Sequence, residues 1–147
     1  MTFRKILLAY DFSDPANRAL SFAAQLATQL GSELHLVNVQ VDIDDGSSAS
    51  EVGIPRPSQD QTERYMRFLH GELHNAARTV VHELSDKLTY HVLRGDPVRR
   101  IEALAEEFGA DVICIGSTGK GAVQRMLLGS VAQALLRSSK VPVLSVH

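Results

Sequence analysis

The sequence contains no tryptophan and a single cysteine, Cys114, in 147 residues. A lone thiol cannot form an internal disulfide, which fits a protein of a reducing compartment. No apolar stretch approaches the roughly 18 residues that a membrane-spanning helix needs. The apolar part of the opening segment MTFRKILLAYD is also too short for a secretory signal. We therefore expect a cytoplasmic protein.

A large excess of charge of either sign is missing too. The formal net charge is -2, with 44% hydrophobic and 22% charged residues. The strong basic excess that accompanies binding to nucleic acid or anionic membranes is thus absent. The length suits one domain with its own core. We predict a single domain over residues 1–147, with no nucleic-acid or membrane partner.

Short runs rich in Val, Ile and Leu alternate along the chain with segments of helical periodicity. The runs predict strands at 6–9, 33–39, 89–95, 111–116 and 141–146, and the periodic segments predict helices at 14–30, 62–86, 97–108 and 130–140. Near-continuous apolar strands that alternate with helices are typical of a parallel sheet. The fold class predicted is α/β, with a five-stranded parallel sheet and helices on both faces.

Ligands of such sheets bind beyond the carboxyl ends of the strands, where the strand order reverses. The segments that follow strands are 10–15, 40–61, 94–97 and 116–130. The stretch 41–61 is acidic, aperiodic and contains Ser, Gly and Pro, which predicts a long loop. Its composition leaves open whether it is an ordered lid or a disordered connection.

The segment GSTGKGAVQRMLLGS, residues 116–130, is rich in glycine and follows an apolar strand. It lacks the spacing of a Walker A loop. It also fails the dinucleotide pattern G-x-G-x-x-G, because the third glycine is replaced by Gln124. What remains is Gly116-x2-Gly119-x9-Gly129-Ser130. Ser130 and Gln133 predict a capping box at the start of the last helix, whose N-terminus suits a phosphate.

On these residues the chain resembles the universal stress protein family, in its nucleotide-binding branch. The resemblance covers nearly the whole length: KILLAYDFSDPANRAL at the start, HLVNV at the second strand, and DVICIG through SKVPVLSV at the end. The pattern G-x2-G-x9-G-[ST] is that branch's ATP-binding signature. The resemblance implies a Rossmann-like, adenine nucleotide alpha hydrolase-like fold with strand order 3-2-1-4-5.

The resemblance also implies a site for ATP, with Mg²⁺ or Mn²⁺ on its phosphates. Asp11 would lie near the ribose and the phosphate-bound metal, the main chain of Val39 near adenine, and the glycines of the signature near ribose and phosphates. Tyr10 is bulkier than the threonine or valine usual there, and Ala132 replaces a threonine of some relatives. The implied nucleotide-binding residues are Ala9, Tyr10, Asp11, Val39, Ile115, Gly116, Gly119, Gly129, Ser130, Val131 and Ala132.

Each of these residues has a purely structural interpretation as well. Asp11 could simply cap the first helix or its turn, as Ser13 or Asp14 could equally well. Gly129 could be a helix break that serves packing. Lys120 and Arg125 could clamp phosphate or remain solvated. The six histidines show no metal-ligand spacing, and His35 and His91 fall in predicted strands, where a hydrogen-bonded histidine is expected.

Three functions remain open from the sequence. The resemblance implies a nucleotide-dependent stress-response regulator with slow or no ATP hydrolysis. No nucleophile–base pair or pair of catalytic carboxylates stands on the strand-end loops, which agrees with slow or absent turnover. The alternatives are an ATPase with genuine turnover, supported by Asp11, a metal and loop cations, and a scaffold dimer that binds no nucleotide. A flavin carrier is disfavoured by the absence of tryptophan and of suitably placed tyrosines.

The last predicted strand carries Pro142, which suits a sheet edge or a strand start. An exposed apolar edge favours pairing with a second copy. The resemblance also implies a homodimer through the strand of Val141, Pro142, Val143, Leu144, Ser145 and Val146, together with an unknown downstream protein partner.

We predict that Val143→Lys weakens this dimer, because it places a charge on the pairing strand. Sedimentation velocity across a concentration series measures the dimer directly. An unchanged dissociation curve for a variant that melts like the wild type would exclude this strand as the interface.

Overall fold

Five short apolar runs pair in parallel in the computed structural model of the chain, which describes residues 2–41, 56–80, 84–118 and 128–147. The strands of the sheet are β1 (Lys5–Ala9), β2 (Glu33–Gln40), β3 (Leu88–Arg94), β4 (Val112–Gly116) and β5 (Val143–Val146). Their order is β3-β2-β1-β4-β5, and every neighbouring pair is parallel. The predicted fold class and strand order are confirmed.

Four α-helices of the described residues cover the sheet: α1 (Asp14–Leu30), α2 (Gln59–Arg78), α3 (Pro97–Phe108) and α4 (Ser130–Ser138). The predicted signals of α1 and α3 act as expected. Gly31 and Gly109 both end their helices in the left-handed conformation, at φ 67° and 69°. At the start of α3, the Asp96 carboxylate accepts a hydrogen bond from the Arg99 amide at 2.9 Å.

Helix α2 differs from its predicted range of 62–86. It begins earlier because Ser58 and Gln61 form a reciprocal capping box, with each side chain accepting from the other residue's amide. It ends at Arg78, where the Thr79 hydroxyl donates to the Ala76 carbonyl at 2.9 Å. A short 3₁₀ turn, Ser85–Lys87, follows instead of further α-helix. A β-branched residue at this point weakens the helix and takes one of its last carbonyls.

The core consists of two layers, one on each face of the sheet. Alternate residues of β1 point in opposite directions, so that Ile6 and Leu8 pack with α1 and α2 while Leu7 and Ala9 pack with α3 and α4. Ile6, Leu7 and Leu8 have no exposed surface. Strand β1 is therefore the buried centre of the domain. No described helix is long and apolar enough to cross a bilayer.

Strand β5 lies at one edge of the sheet, as predicted from Pro142. The strand begins only at Val143, one residue after that proline, and the Pro142 carbonyl accepts from the Ile113 amide at 2.8 Å. The edge position is what pairing with a second copy requires. The dimer itself stays a prediction.

Two histidines of the interior contact one another beneath α3. The Nε2 atom of His91 lies 2.9 Å from Nδ1 of His35, and the His35 ring stacks on Phe108 with centroids 3.5 Å apart. Burial, followed by the charge of His91, lowers the pKa of His35 to about 4, and burial also lowers the pKa of His91. Both rings are thus neutral in the folded protein at pH 7.

This pair predicts a loss of stability in mild acid. The unfolded histidine has a pKa of about 6.5, so below that pH the unfolded chain binds protons that the folded chain refuses. The stabilising contribution is complete above pH 6.5 and is lost as the pH falls toward 4. We expect His35→Gln to lose less unfolding free energy between pH 7 and pH 5 than the wild type, measured by urea denaturation.

His147→Gln, at the exposed last residue, is the matched control and should follow the wild type across this range. Parallel curves for His35→Gln and wild type would contradict the assignment of the acid sensitivity to this pair.

Candidate functional site

The carboxyl ends of β1 and β4 meet at the point where the strand order reverses. From β1 the chain runs to β2 and β3 on one side, then crosses to β4 and β5 on the other. Ala9 is the register partner of Ile115, so the turn after β1 and the segment after β4 emerge side by side. Such a crevice is the usual ligand position in doubly wound sheets. Two of the predicted loops are thereby brought together.

The turn after β1 carries Asp11 directly before a residue with a strained backbone. Phe12, the next residue, has φ of 64°, which is costly for a bulky L-residue. One Asp11 carboxylate oxygen accepts from the Ser13 amide at 3.0 Å and from its hydroxyl at 2.5 Å. The cap of α1 is Ser13, whose hydroxyl oxygen accepts from the Ala16 amide at 3.2 Å. Asp11 therefore does not cap α1 itself, but it does cap the turn that leads into the helix, as its structural interpretation allowed.

Tyr10 turns its ring away from the crevice. Its side chain belongs to the α1 and α2 layer, with 5% of its surface exposed, and its hydroxyl donates to the Asn17 side chain at 2.5 Å. Its amide donates to the Val37 carbonyl at 2.9 Å. Burial raises the pKa of the Tyr10 hydroxyl, which keeps it a neutral donor.

Three residues of the predicted site line one face of the sheet near its carboxyl edge. Ala9, Val39 and Ile115 all belong to the layer under α3 and α4. Ala9 and Ile115 are 6% and 8% exposed, and Val39 is partly buried. They form an apolar surface on the side of the sheet from which α4 begins. A flat apolar ring could lie against it.

Gly116 is required for a reason that the glycine pattern alone did not reveal. A Cβ added there would lie 2.7 Å from the Pro15 carbonyl carbon and 2.9 Å from its oxygen. The glycine therefore lets the first turn of α1 approach the end of β4. Gly116, which the resemblance places near a ribose, thus also has a packing role. Gly119, Lys120 and Arg125 lie outside the described residues.

Helix α4 begins beside the end of β4. The Ser117 carbonyl accepts from the Gly129 amide at 2.6 Å, and the Ser117 amide donates to the Val146 carbonyl at 2.8 Å. Ser117 is 7% exposed. This main-chain anchor was not anticipated from the sequence, because its two partners are distant along the chain. It directs the N-terminus of α4 to the crevice.

The predicted capping box of Ser130 and Gln133 is wrong. Gly129 is the N-cap, in an extended conformation (φ -61°, ψ 153°), and no described side chain caps the helix. The Gln133 amide donates to the Gly129 carbonyl at 2.9 Å, which is the ordinary first helical bond. The first-turn amides of Ser130, Val131 and Ala132 have no intrahelical acceptors by the geometry of an α-helix. Ala132 is 2% exposed and directs its methyl group into the core.

Asp11 is the one residue that the sequence analysis placed beside a metal ion. Among the described residues no group of three or more His, Cys, Asp or Glu side chains is placed to hold a metal ion. Asp11 alone is therefore not a complete set of metal ligands within the described part of the chain. Mg²⁺ commonly binds through one or two carboxylates and substrate phosphates.

Two polar residues at the end of β2 were not singled out in the sequence analysis. Asn38, 3% exposed, donates through Nδ2 to the Tyr10 carbonyl at 2.9 Å, and Gln40 donates to the Asn38 side-chain oxygen at 2.5 Å. The signal in the sequence was an amide within the otherwise apolar run HLVNV. A buried amide in a strand is expected to have a specific partner.

These features define a doubly wound α/β domain with a crevice between an acidic turn and a helix N-terminus. The pattern of the universal stress protein family matches residues 2–147, and the chain belongs to that family. Universal stress protein MJ0531 of Methanocaldococcus jannaschii is 31% identical over 147 residues, 98% of this chain and 82% of that protein.

Solved structures show the same fold. Protein MJ0577, a universal stress protein of the same organism, has a TM-score of 0.73 and 29% identity, covering 99% of this chain and 96% of that one. A universal stress protein solved in complex with cAMP has a TM-score of 0.70 and 22% identity, covering 100% of this chain and 98% of that one. At 22% identity, this similarity establishes a shared fold.

The contact of Gly116 with Pro15 predicts that Gly116→Ala is destabilising. The added methyl group would meet main-chain atoms, which cannot move aside as a side chain can. We expect a cost of roughly 1–3 kcal/mol, measured by urea denaturation.

Gly71→Ala, within α2, is the control because its added Cβ would meet no heavy atom within 4 Å. That variant should gain about 0.5–1 kcal/mol from helix propensity. A Gly116→Ala protein as stable as the wild type would show that α1 and β4 do not need this close approach.

Proposed function

We propose that this chain binds ATP in the crevice between β1 and β4, with Mg²⁺ or Mn²⁺ on the phosphates, and acts as a nucleotide-dependent stress-response switch. Hydrolysis is slow or absent. The observation that carries the proposal is the convergence of three features on one edge of the sheet: Asp11, an apolar surface, and a helix N-terminus that no described side chain caps.

The three parts of the crevice match the three parts of the nucleotide. The surface of Ala9, Val39 and Ile115 suits an adenine ring, because an aromatic base loses little by leaving water. Asp11 suits a ribose hydroxyl, which can donate to a carboxylate oxygen. The start of α4, with its main-chain donors and positive dipole end, suits phosphate oxygens.

Two solved universal stress proteins support an adenine nucleotide as the ligand. A universal stress protein of the same fold binds cAMP, and another binds dAMP. Both ligands carry adenine and phosphate. The choice of ATP among adenine nucleotides rests on the signature Gly116-x2-Gly119-x9-Gly129-Ser130.

The metal would be held by the nucleotide's phosphates with Asp11 at its side. A divalent cation supplies charge neutralisation to the phosphates. The chain's own contribution is to present the Asp11 carboxylate on a fixed turn, through its two hydrogen bonds from Ser13.

The switch follows from the position of the ligand between two separate elements. A nucleotide that touches both the Asp11 turn and the start of α4 stabilises the arrangement in which they are correctly spaced. A downstream protein could then recognise that surface. Limited proteolysis with and without ATP tests this: identical digestion patterns in both states would contradict a switch.

Two other functions give different results in simple assays. An ATPase would show steady phosphate release that Asp11→Ala abolishes. A scaffold dimer would show neither turnover nor any effect of nucleotide on stability. Both can be examined on the same preparation as the binding experiment below.

We predict that Gly129→Asp separates binding from stability. Asp at an N-cap stabilises a helix by a few tenths of a kcal/mol more than Gly does. The backbone of Gly129, at φ -61°, has a conformation that any residue can adopt. The same carboxylate would repel phosphate. The variant should melt at or above the wild-type temperature without ligand, yet lose the shift produced by ATP and Mg²⁺.

Gly129→Asn is the matched control, since it supplies the same cap without charge and should keep more of the shift. For the wild type, ligand at one hundred times its dissociation constant adds about 2.7 kcal/mol, or several degrees. If Gly129→Asp shifts as much as the wild type, phosphate does not bind at this helix. If the wild type does not shift, the nucleotide proposal fails.

A further inference from the structure

We propose that Asn38 is a positioning residue, whose buried side-chain amide fixes the turn that presents Asp11 to the nucleotide. The functional consequence rests on the proposed nucleotide site. The structural part, that Asn38 determines the conformation of the turn, stands on the contacts alone.

Asn38 acts where the main-chain pairing of β1 ends. Strand β1 stops at Ala9. Both main-chain groups of the next residue, Tyr10, are hydrogen-bonded to β2. The Tyr10 amide donates to the Val37 carbonyl and the Tyr10 carbonyl accepts from Asn38 Nδ2, each at 2.9 Å. The Asn38 side chain therefore continues the attachment of β1 to β2 for one residue beyond the strand.

The orientation of the Asn38 amide is determined at both ends. The Tyr10 carbonyl can only accept, so Asn38 must direct its NH₂ group there. Its oxygen then accepts from Gln40 Nε2 at 2.5 Å. With 3% of its surface exposed, Asn38 has little room for another rotamer. A buried amide satisfied on both atoms is a rigid support.

The turn needs such a support because it is strained. Phe12 occupies the left-handed region at φ 64°, a conformation that persists only where the surroundings over-determine it. Asp11 lies between the residue held by Asn38 and this strained residue. Release of the Tyr10 carbonyl would let Phe12 relax, and the Asp11 carboxylate would move with it.

The experiment compares Asn38→Leu with Ser32→Ala. Leucine has a similar size but no donor. Ser32 is the matched control because it is fully buried and donates to the Phe3 carbonyl at 2.5 Å, near the amino end of the sheet. Both variants lose a side-chain hydrogen bond to a main-chain carbonyl, but only the loss at Asn38 adjoins Asp11. Asn38→Leu also removes the acceptor of the Gln40 side chain. The readouts are the backbone NMR signals of Asp11 and Phe12 and the dissociation constant for ATP with Mg²⁺.

We expect Asn38→Leu to shift the Asp11 and Phe12 signals and to weaken nucleotide binding about tenfold or more, as loss of an orienting partner typically does. Ser32→Ala should keep these signals and bind within about twofold of the wild type. If Asn38→Leu does not fold, Asn38→Ala replaces it, since it puts no methyl groups against the Tyr10 carbonyl.

The outcomes separate this inference from the proposed function. Unmoved Phe12 signals in the Asn38 variant, or an affinity loss no larger than that of Ser32→Ala, would overturn the positioning role. If the wild type binds no nucleotide, the proposed function fails, and shifted Phe12 signals would still support Asn38 as the determinant of the turn.

Discussion

The close approach of Gly116 to the main chain of Pro15 is the contact on which the candidate site depends. Because β4 pairs directly with β1, the first turn of α1 must pass over the end of β4. Any side chain at 116 would separate the two and widen the crevice. From the same strand end, Ser117 then anchors Gly129 and with it α4. One position without a side chain thus sets the spacing between the Asp11 turn and the helix N-terminus.

Much of this fold could be predicted from the sequence because its signals are local. Strands buried on both faces give continuous apolar runs such as that of β1. Asp96 marks a helix start through its side-chain carboxylate, and Gly31 and Gly109 mark helix ends through their left-handed backbone. The start of α2 escaped prediction because its capping box lies in a stretch whose composition suggested a loop. The similar pattern of Ser130 and Gln133 predicted a capping box that does not form, because the extended residue Gly129 is the N-cap of α4.

The candidate site was predictable in its members but less so in their roles. The glycine spacing pointed to residues 116 and 129, yet the packing reason for Gly116 depends on Pro15, which lies far away along the chain. The link of Asn38 to Tyr10 joins residues 28 positions apart. Such contacts depend on strand order and register, so even where a residue stands out locally, as Asn38 does, a single sequence does not identify its partner. Tyr10 is buried because the alternation of side chains between the two faces of β1 continues one residue past the strand, which puts Tyr10 on the same face as Ile6 and Leu8.

The two sides of the crevice are held in different ways, and this bears on how a nucleotide could act as a signal. On the β1 side, Tyr10, Asp11 and Ser13 make several hydrogen bonds around a strained residue, which fixes the turn. On the α4 side, the helix begins at a glycine cap without a side-chain partner among the described residues. A ligand changes a conformational equilibrium only through an element that has more than one arrangement. In the proposed function, the Asp11 turn would therefore be the fixed side of the crevice. The start of α4 would be the side on which a phosphate adds new hydrogen bonds, so a response to nucleotide would arise there.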